Sequence, residues 1–300
     1  MNGIINVYKE KGFTSHDVVA KLRGILHQKK IGHTGTLDPD ATGVLPVCLG
    51  NATKLCDLLT DKDKTYKAVL KLGVVTDTQD MTGKILEESV VECSGEEMEQ
   101  ALYSFLGDYQ QIPPMYSALK VNGKKLYELA REGKTIERKP REVKIHAIKI
   151  LDVNWQEKEV EFEVTCSKGT YIRTLCHDIG EKLGCGGVMK SLVRTRVSRF
   201  TMEESLSLTQ IDQLTKEGKV EEIIIAVDKY FINNPAIYIK ENADKLIYNG
   251  NFFQKRNIGT FKEGIGDWIR VYDSRGKFVG LYKLEEKEEI YKPVKMFLEM

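Results

Sequence analysis

The chain has 300 residues, 41% hydrophobic and 30% charged, and its 45 basic and 44 acidic side chains leave a formal net charge of +1. With a mean hydropathy of −0.33, no run near the roughly 18 apolar residues of a spanning helix, and a start (MNGIINVYKEKGF) without a basic region ahead of a long apolar stretch, a cytoplasmic protein is expected rather than a secreted or membrane one. Cys48, Cys56, Cys93, Cys166, Cys176 and Cys185 form no CxxC pair, which predicts reduced thiols and neither a disulfide framework nor structural zinc.

Alternating hydrophobicity predicts strands at 3–9 (GIINVYK), 65–75 (TYKAVLKLGVV), 143–153 (VKIHAIKILDV) and 159–166 (EVEFEVTC). Between them, Ser15 precedes Val18, Val19, Leu22 and Leu26 at helical spacing, with His16 and His27 on that helix's surface. Ser94 and Glu97 form a capping-box pattern ahead of Met98, Leu102 and Phe105. Further helices are predicted from Thr170 to Leu183 and from Thr209 to Thr215. Strands in loose pairs rather than strict βαβ alternation indicate an α+β domain on a mixed or antiparallel sheet. The Asn233-Asn234-Pro235 breaker and the hairpin WIRVYD/KFVGLYKL after it place a boundary near 233, so residues 1–232 form the main domain and 233–300 a small β-rich one.

Charge is sorted along the chain. Residues 85–110 carry Glu87, Glu88, Glu92, Glu96, Glu97, Glu99 and Asp108 without a Lys or Arg, whereas 120–144 and 187–199 are basic. One such run is a solvated face; several basic segments beside an acidic one predict a polarised surface.

The loop GHTGTLDPDATGVLP (32–46), rich in Gly and Pro, holds His33 and Asp38. An Asp before Pro commonly bonds its own backbone, but loops on a rigid scaffold also carry chemistry. In SKGTYIRTLCHDIGEKLG (167–184) a strand passes into a helix whose first turn holds Tyr171 and Arg173. A cation there opposes the helix dipole, so Arg173 calls for an anionic partner. Tyr66 stands among lysines at a strand start, a position that suits packing at a sheet edge. IPPMYSALKVNGKKLYELAREGKTIERKPREVK (112–144) joins aromatics to basic residues, as in segments that track phosphates and stack bases, although its KKLYELAREG piece also reads as a solvent-facing hairpin. Triphosphate, dinucleotide and zincin motifs are missing, and Cys176-His177 with Cys185 lacks zinc spacing.

The ordered blocks GHTGTLDPDATGVLPVCLGNATK (32–54), TDTQDMTG (76–83), IPPMYSALKVNGKKLYELAREG (112–133) and CSKGTYIRTLCHDIG (166–180) closely resemble the TruB family of pseudouridine synthases, over about residues 3–200. The chain departs from the family pattern at Glu10, where Lys-Pro-x-Gly is usual, and at Val188 and Val193 in GGVMKSLVRTRVSRF (186–200).

The resemblance implies a pseudouridine synthase fold with a PUA-like C-terminal domain, and isomerisation of uridine to pseudouridine in the T loop of tRNA at position 55. It implies no cofactor and no metal. Asp38 becomes the nucleophile or proton acceptor, and Arg173 the partner that depresses its pKa. Tyr66 stacks on the flipped base and assists loss of the C5 proton, Tyr171 and Leu192 line the pocket, His33 holds the distorted loop, and Lys9 contacts substrate. An RNA-clamping insertion at about 120–140, including Asn122-Gly123-Lys124 and Arg131, points to the stand-alone bacterial form, and a monomer is expected because the pattern shows no long unexplained apolar patch. A guide-RNA-dependent synthase and an RNA chaperone with dispensable catalysis are the alternatives.

Overall fold

The computed structural model describes residues 1–121 and 123–298. Asn122, in the basic insertion, lies outside the described residues. Strand alternation translates directly into burial: in Glu159–Cys166, Val160, Phe162, Val164 and Cys166 are buried while the glutamates between them stay half-exposed. Such strands assemble a nine-stranded sheet. Its main path runs Gly3–Lys9, Thr42–Leu49, Gly187–Val197, Lys64–Leu72, Glu159–Cys166, Arg141–Asn154 and Gly107–Gln111.

Every neighbouring pair on that path is antiparallel except one. Thr42–Leu49 runs parallel to Gly187–Val197, pairing Thr42 with Val193 and Gly43 with Arg194. On one side of this junction helix Ser15–Ile25 packs Val18 and Leu22 against Val7, Leu45 and Val47, joined by Ile211 of helix Leu208–Lys216. On the other, helices Gly95–Tyr103 and Ile172–Lys182 set Met98, Leu102, Leu175 and Ile179 against Leu70, Phe162 and Val164.

A separate six-stranded sheet begins at Ala236 and includes the expected hairpin as Ile269–Tyr272 and Phe278–Glu285. Its own core holds Ile237, Phe253, Val271, Val279 and Tyr282. It docks on the larger sheet through Leu281 and Phe297, which meet Ile4, Leu55, Phe200 and Phe231. Asn51 Nδ2 donates across this contact to the carbonyls of Phe297 and Leu298 at 3.3 and 3.0 Å.

Several local expectations change. The first helix, Ser15–Ile25, is capped by Thr14, which forms a capping box with Asp17. His27 lies past the helix end with φ +49°, because the chain turns there towards the next strand. The 65–75 strand breaks at Gly73, whose φ of +85° separates Lys64–Leu72 from Val74–Thr76. Tyr66 sits in the middle of the sheet rather than at an edge, because its strand is paired on both sides. Thr170 and Tyr171 precede the helix that starts at Ile172. Val188 is fully buried, so its departure from the family pattern concerns packing rather than substrate contact.

The parallel junction makes one glycine obligatory. Gly43 has φ +107°, and a Cβ there would stand 2.2 Å from the Arg194 carbonyl oxygen, whereas one on Gly12, at φ +88°, would meet nothing within 4 Å. Gly43→Ala is expected to lose about 3 kcal/mol in urea unfolding and Gly12→Ala only about 1 kcal/mol. Equal losses at the two positions would show that the junction yields to the added methyl.

Candidate active site

Between Ile31–His33 and Thr42–Leu49 the chain forms a loop held from several directions. The Leu37 N–H donates to buried Ser15 Oγ at 2.9 Å, and the Thr34 hydroxyl to the Pro46 carbonyl at 3.1 Å. The Gly12 N–H donates to the Pro39 carbonyl at 2.9 Å. Below it, Lys9 is fully buried and its Nζ donates to the carbonyls of Glu10, Phe13 and Pro39 at 3.1, 2.6 and 3.0 Å. Lys9 therefore positions the loop instead of contacting substrate: three carbonyls occupy its ammonium. Burial lowers its pKa to about 8, with Asp38 opposing the shift.

Asp38 emerges from this loop towards Arg173. Arg173 Nε lies 3.0 Å from Asp38 Oδ2, and Nη2 donates to Oδ1 at 3.3 Å. The rest of the guanidinium donates to the Thr78 and Tyr116 carbonyls at 3.1 and 2.9 Å. This is the anionic partner that a cation in a helix's first turn requires. A second carboxylate, unforeseen from the sequence, completes it: Asp80 Oδ2 is 3.6 Å from Nη1. Asp80 Oδ1 in turn accepts from the Thr78 hydroxyl, the Thr82 hydroxyl and the Thr82 N–H at 2.7, 2.6 and 3.0 Å. An acid enclosed by three threonines and a glycine in TDTQDMTG was the available signal.

The pair is asymmetric in exposure: the Arg173 side chain is 6% exposed and that of Asp38 38%. One edge of the carboxylate thus faces the cleft while the cation is enclosed. Loss of water raises the Asp38 pKa above the ordinary value, against the pull of Arg173, and Asp80 adds to the rise. Arg173 pulls the carboxyl down, the direction the resemblance implies for it, while desolvation acts the other way and is the larger influence.

Around the carboxylate, Leu37, Tyr66 and Leu192 belong to one apolar cluster. Tyr66 lies on Lys64–Leu72 between Val164 and Arg194 in register. Burial pushes its pKa up to about 12, so the phenol keeps its proton at neutral pH and suits stacking better than proton acceptance. Tyr171 faces the same site, within electrostatic reach of Arg173 and Asp38. Its backbone is fixed by a reciprocal pair: its N–H donates to Gln111 Oε1 at 2.7 Å, and Gln111 Nε2 donates to its carbonyl at 2.9 Å.

His33 stands apart from this group, edge-on to His16 with ring centroids 5.1 Å apart. Burial, with help from His16 and Arg194, lowers its pKa to about 4, so the ring is neutral near pH 7. It borders a hollow that Arg23, Lys29 and Lys30 make basic. Among the described residues no group of three or more His, Cys, Asp or Glu is arranged to hold a metal ion.

A carboxyl whose pKa is higher folded than unfolded favours the fold fully below its unfolded value, near 3.8, and that contribution is lost as pH rises through the folded value. That contribution is thus greatest at acid pH and declines as the pH rises. Asp38→Asn is expected to melt at pH 7 no lower than wild type, and the Asp38 carboxyl carbon to titrate above 3.8 by NMR. An earlier melt would mean that the ion pair carries net stability.

Two family models match end to end: the N-terminal domain of TruB family pseudouridylate synthase over residues 23–172, and the tRNA pseudouridylate synthase B C-terminal domain over 173–231. A tRNA pseudouridine synthase B of Lachnoclostridium phytofermentans is 60% identical, covering 99% of this chain and 100% of the relative. One from Alkaliphilus oremlandii is 46% identical over 99% of this chain and 97% of its own. Among solved structures, an H/ACA RNP bound to a substrate RNA containing 2′-deoxyuridine includes a chain with TM-score 0.73 and 26% identity, over 99% of this chain and 85% of that one. A Cbf5-Nop10-Gar1 complex gives TM-score 0.73 and 29% identity, with the same coverage. The fold is accordingly that of the pseudouridine synthases, with the mixed sheet and separate C-terminal sheet described above. The chain belongs to the TruB family of pseudouridylate synthases.

Proposed function

We propose that this protein converts uridine to pseudouridine at position 55 in the T loop of tRNA, acting in the cytoplasm as a single chain without guide RNA, metal or cofactor. The observation that carries this reading is the open-edged Asp38 carboxylate, held by enclosed Arg173 beside the Tyr66 ring. Isomerisation breaks the N1–C1′ bond with its electron pair passing to the uracil. The ring then turns, C5 bonds to C1′, the C5 proton leaves to solvent and N1 gains one. Nothing is oxidised or reduced. Asp38 serves as nucleophile or proton acceptor at the reacting nucleotide, with Arg173 keeping it ionised against desolvation. Tyr66 stacks on the extruded base, which Tyr171 and Leu192 enclose, and His33 supports the reshaped loop.

Outside the cleft, the basic segment after Lys120 is proposed to clamp the tRNA. It forms a short hairpin, Lys120–Val121 with Lys124–Lys125, followed by helix Leu126–Arg131, whose Tyr127 ring is flanked by Lys125 and Arg131. Residues 233–300 are proposed as the PUA-like RNA-binding domain. The solved neighbours favour one second reading, guide-RNA dependence, since the chains matched were seen in H/ACA and Cbf5-Nop10-Gar1 complexes.

Tritium release from an unguided tRNA transcript labelled at uracil C5 tests these readings together. Wild type is expected to release tritium with nothing added, and Asp38→Asn to release none while binding RNA within a few-fold. Release only after adding a guide would favour the second reading. Rescue of a synthase-null strain by Asp38→Asn would favour a chaperone role. Changing Lys120, Lys125 and Arg131 to Gln is expected to weaken binding and to flatten its log–log salt dependence by roughly 0.7–0.9 for each phosphate that is no longer neutralised. An unchanged slope would remove the clamp from the proposal.

A further inference from the structure

The glutamates that make residues 85–110 acidic, Glu87, Glu88, Glu92, Glu96, Glu97 and Glu99, are all exposed. None of them enters an ion pair among the described residues. Elsewhere the chain does pair its exposed acids: Glu132 lies 3.3 Å from Lys124 and 2.7 Å from Lys134, and Asp108 lies 3.8 Å from Lys144. The stretch thus carries a negative field that nothing nearby in the chain neutralises.

Two of these glutamates stand on a strand with an open edge. Ile85–Glu88 pairs with Val74–Thr76 on one side, and among the described residues it makes no other backbone hydrogen bond. All four of its side chains are exposed. The hairpin is nonetheless held in place. At its base the Ser89 N–H donates to the Gly73 carbonyl at 3.0 Å, and the Gly73 N–H to the Gly186 carbonyl at 3.1 Å. At its turn the Met81 N–H donates to the Met189 carbonyl at 3.3 Å, and the Met189 N–H to the Gln79 carbonyl at 3.1 Å. Lysine and proline, the usual guards of such an edge, are missing from 85–90. Instead Ile85 and Leu86 are 51% and 62% exposed, and Val90 is 73% exposed. Val90 also borders a hollow lined by Cys93, Ala101 and Leu183 together with Glu92 and Glu97.

The glutamates select what can pair there. A second copy of Ile85–Glu88 would set like charges against each other across the new pair, and RNA would be repelled by the same field. A strand that carries lysine or arginine between apolar residues answers the open backbone, the carboxylates and the apolar side chains together. We propose that Ile85–Glu88 and the hollow beside Val90 form a docking edge for an extended basic and apolar segment of a partner protein, which adds a third strand to the hairpin. This surface is separate from the reaction at Asp38 and does not rest on it.

The probe is a blocked peptide of about eight residues alternating lysine and valine, long enough to cover a strand of this size, added to the isotope-labelled full chain. A lysine–serine peptide of equal charge and a glutamate–valine peptide serve as controls. The lysine–valine peptide is expected to shift the amides of 85–88, to slow their hydrogen exchange, and to bind at least about ten-fold more tightly than either control. Changing Glu87 and Glu88 to Gln, or separately Leu86 and Val90 to Ser, is expected to weaken that binding at least about five-fold. Thermal unfolding is expected to be unchanged in both variants, and tritium release from tRNA to stay within about two-fold of wild type. Equal binding of the lysine–valine and lysine–serine peptides would be charge attraction alone and overturns the proposal. So do shifts that miss 85–88, variants that bind as wild type does, or protection of the same amides by a T-arm RNA. Silence of wild type in tritium release would instead strike only at the proposed function.

Discussion

The ion pair between Arg173 and Asp38 joins the two halves of the larger sheet. Arg173 comes from the helix packed on one half, and Asp38 from the loop that leads into the parallel junction of the other. Neither partner is comfortable alone. The arginine opposes the dipole of its own helix, and the carboxylate is raised by desolvation. Each is tolerated because the surrounding fold leaves no other arrangement: carbonyls of Thr78 and Tyr116 hold the guanidinium, and Ser15, Gly12 and Lys9 hold the loop. Precision here comes from main-chain acceptors, which cannot rotate away as side chains can.

From that pair the division of labour among cations follows. Arg173 meets carboxylates, while Lys9, Lys64 and Arg194 meet carbonyls. All four are buried, so the base of the cleft is positive while its rim carries one open-edged acid. Such a field suits a polyanion approaching from outside and an anionic base formed inside. It also explains how a chain with balanced total charge can present a cationic site: the compensating acids sit in the exposed stretch before and within helix Gly95–Tyr103.

Much of this is legible in the chain itself. EVEFEVTC, the Ser94–Glu97 cap and the hairpin near 270 are local patterns whose physics is complete within a few residues. Arg173 is legible through its discomfort, as a cation where a helix disfavours one. What stays hidden depends on long-range pairing. Asp80 is distant along the chain from the guanidinium it serves, and Arg194 looks like one more base in a basic strand until its register with Tyr66 and Gly43 is known. Lys9 misleads for the same reason: the resemblance places it at the substrate, and only the fold shows carbonyls closing over it. The sign of the Asp38 shift is hidden as well, since a sequence names the ion pair but not the water that is lost.

That sign carries the functional logic of the site. Desolvation and the neighbouring Asp80 push the Asp38 pKa up while Arg173 and Lys9 pull it down, so its charge is set by a contest between lost water and fixed cations. Under the proposed function, RNA covering the open edge of Asp38 would remove its remaining water and leave the fixed cations alone to favour the charged form. Arg173 touches it directly, and Lys9 acts from beneath the loop. On that proposal the substrate supplies the desolvation, and the sheet junction supplies the positive field that is buried there in advance.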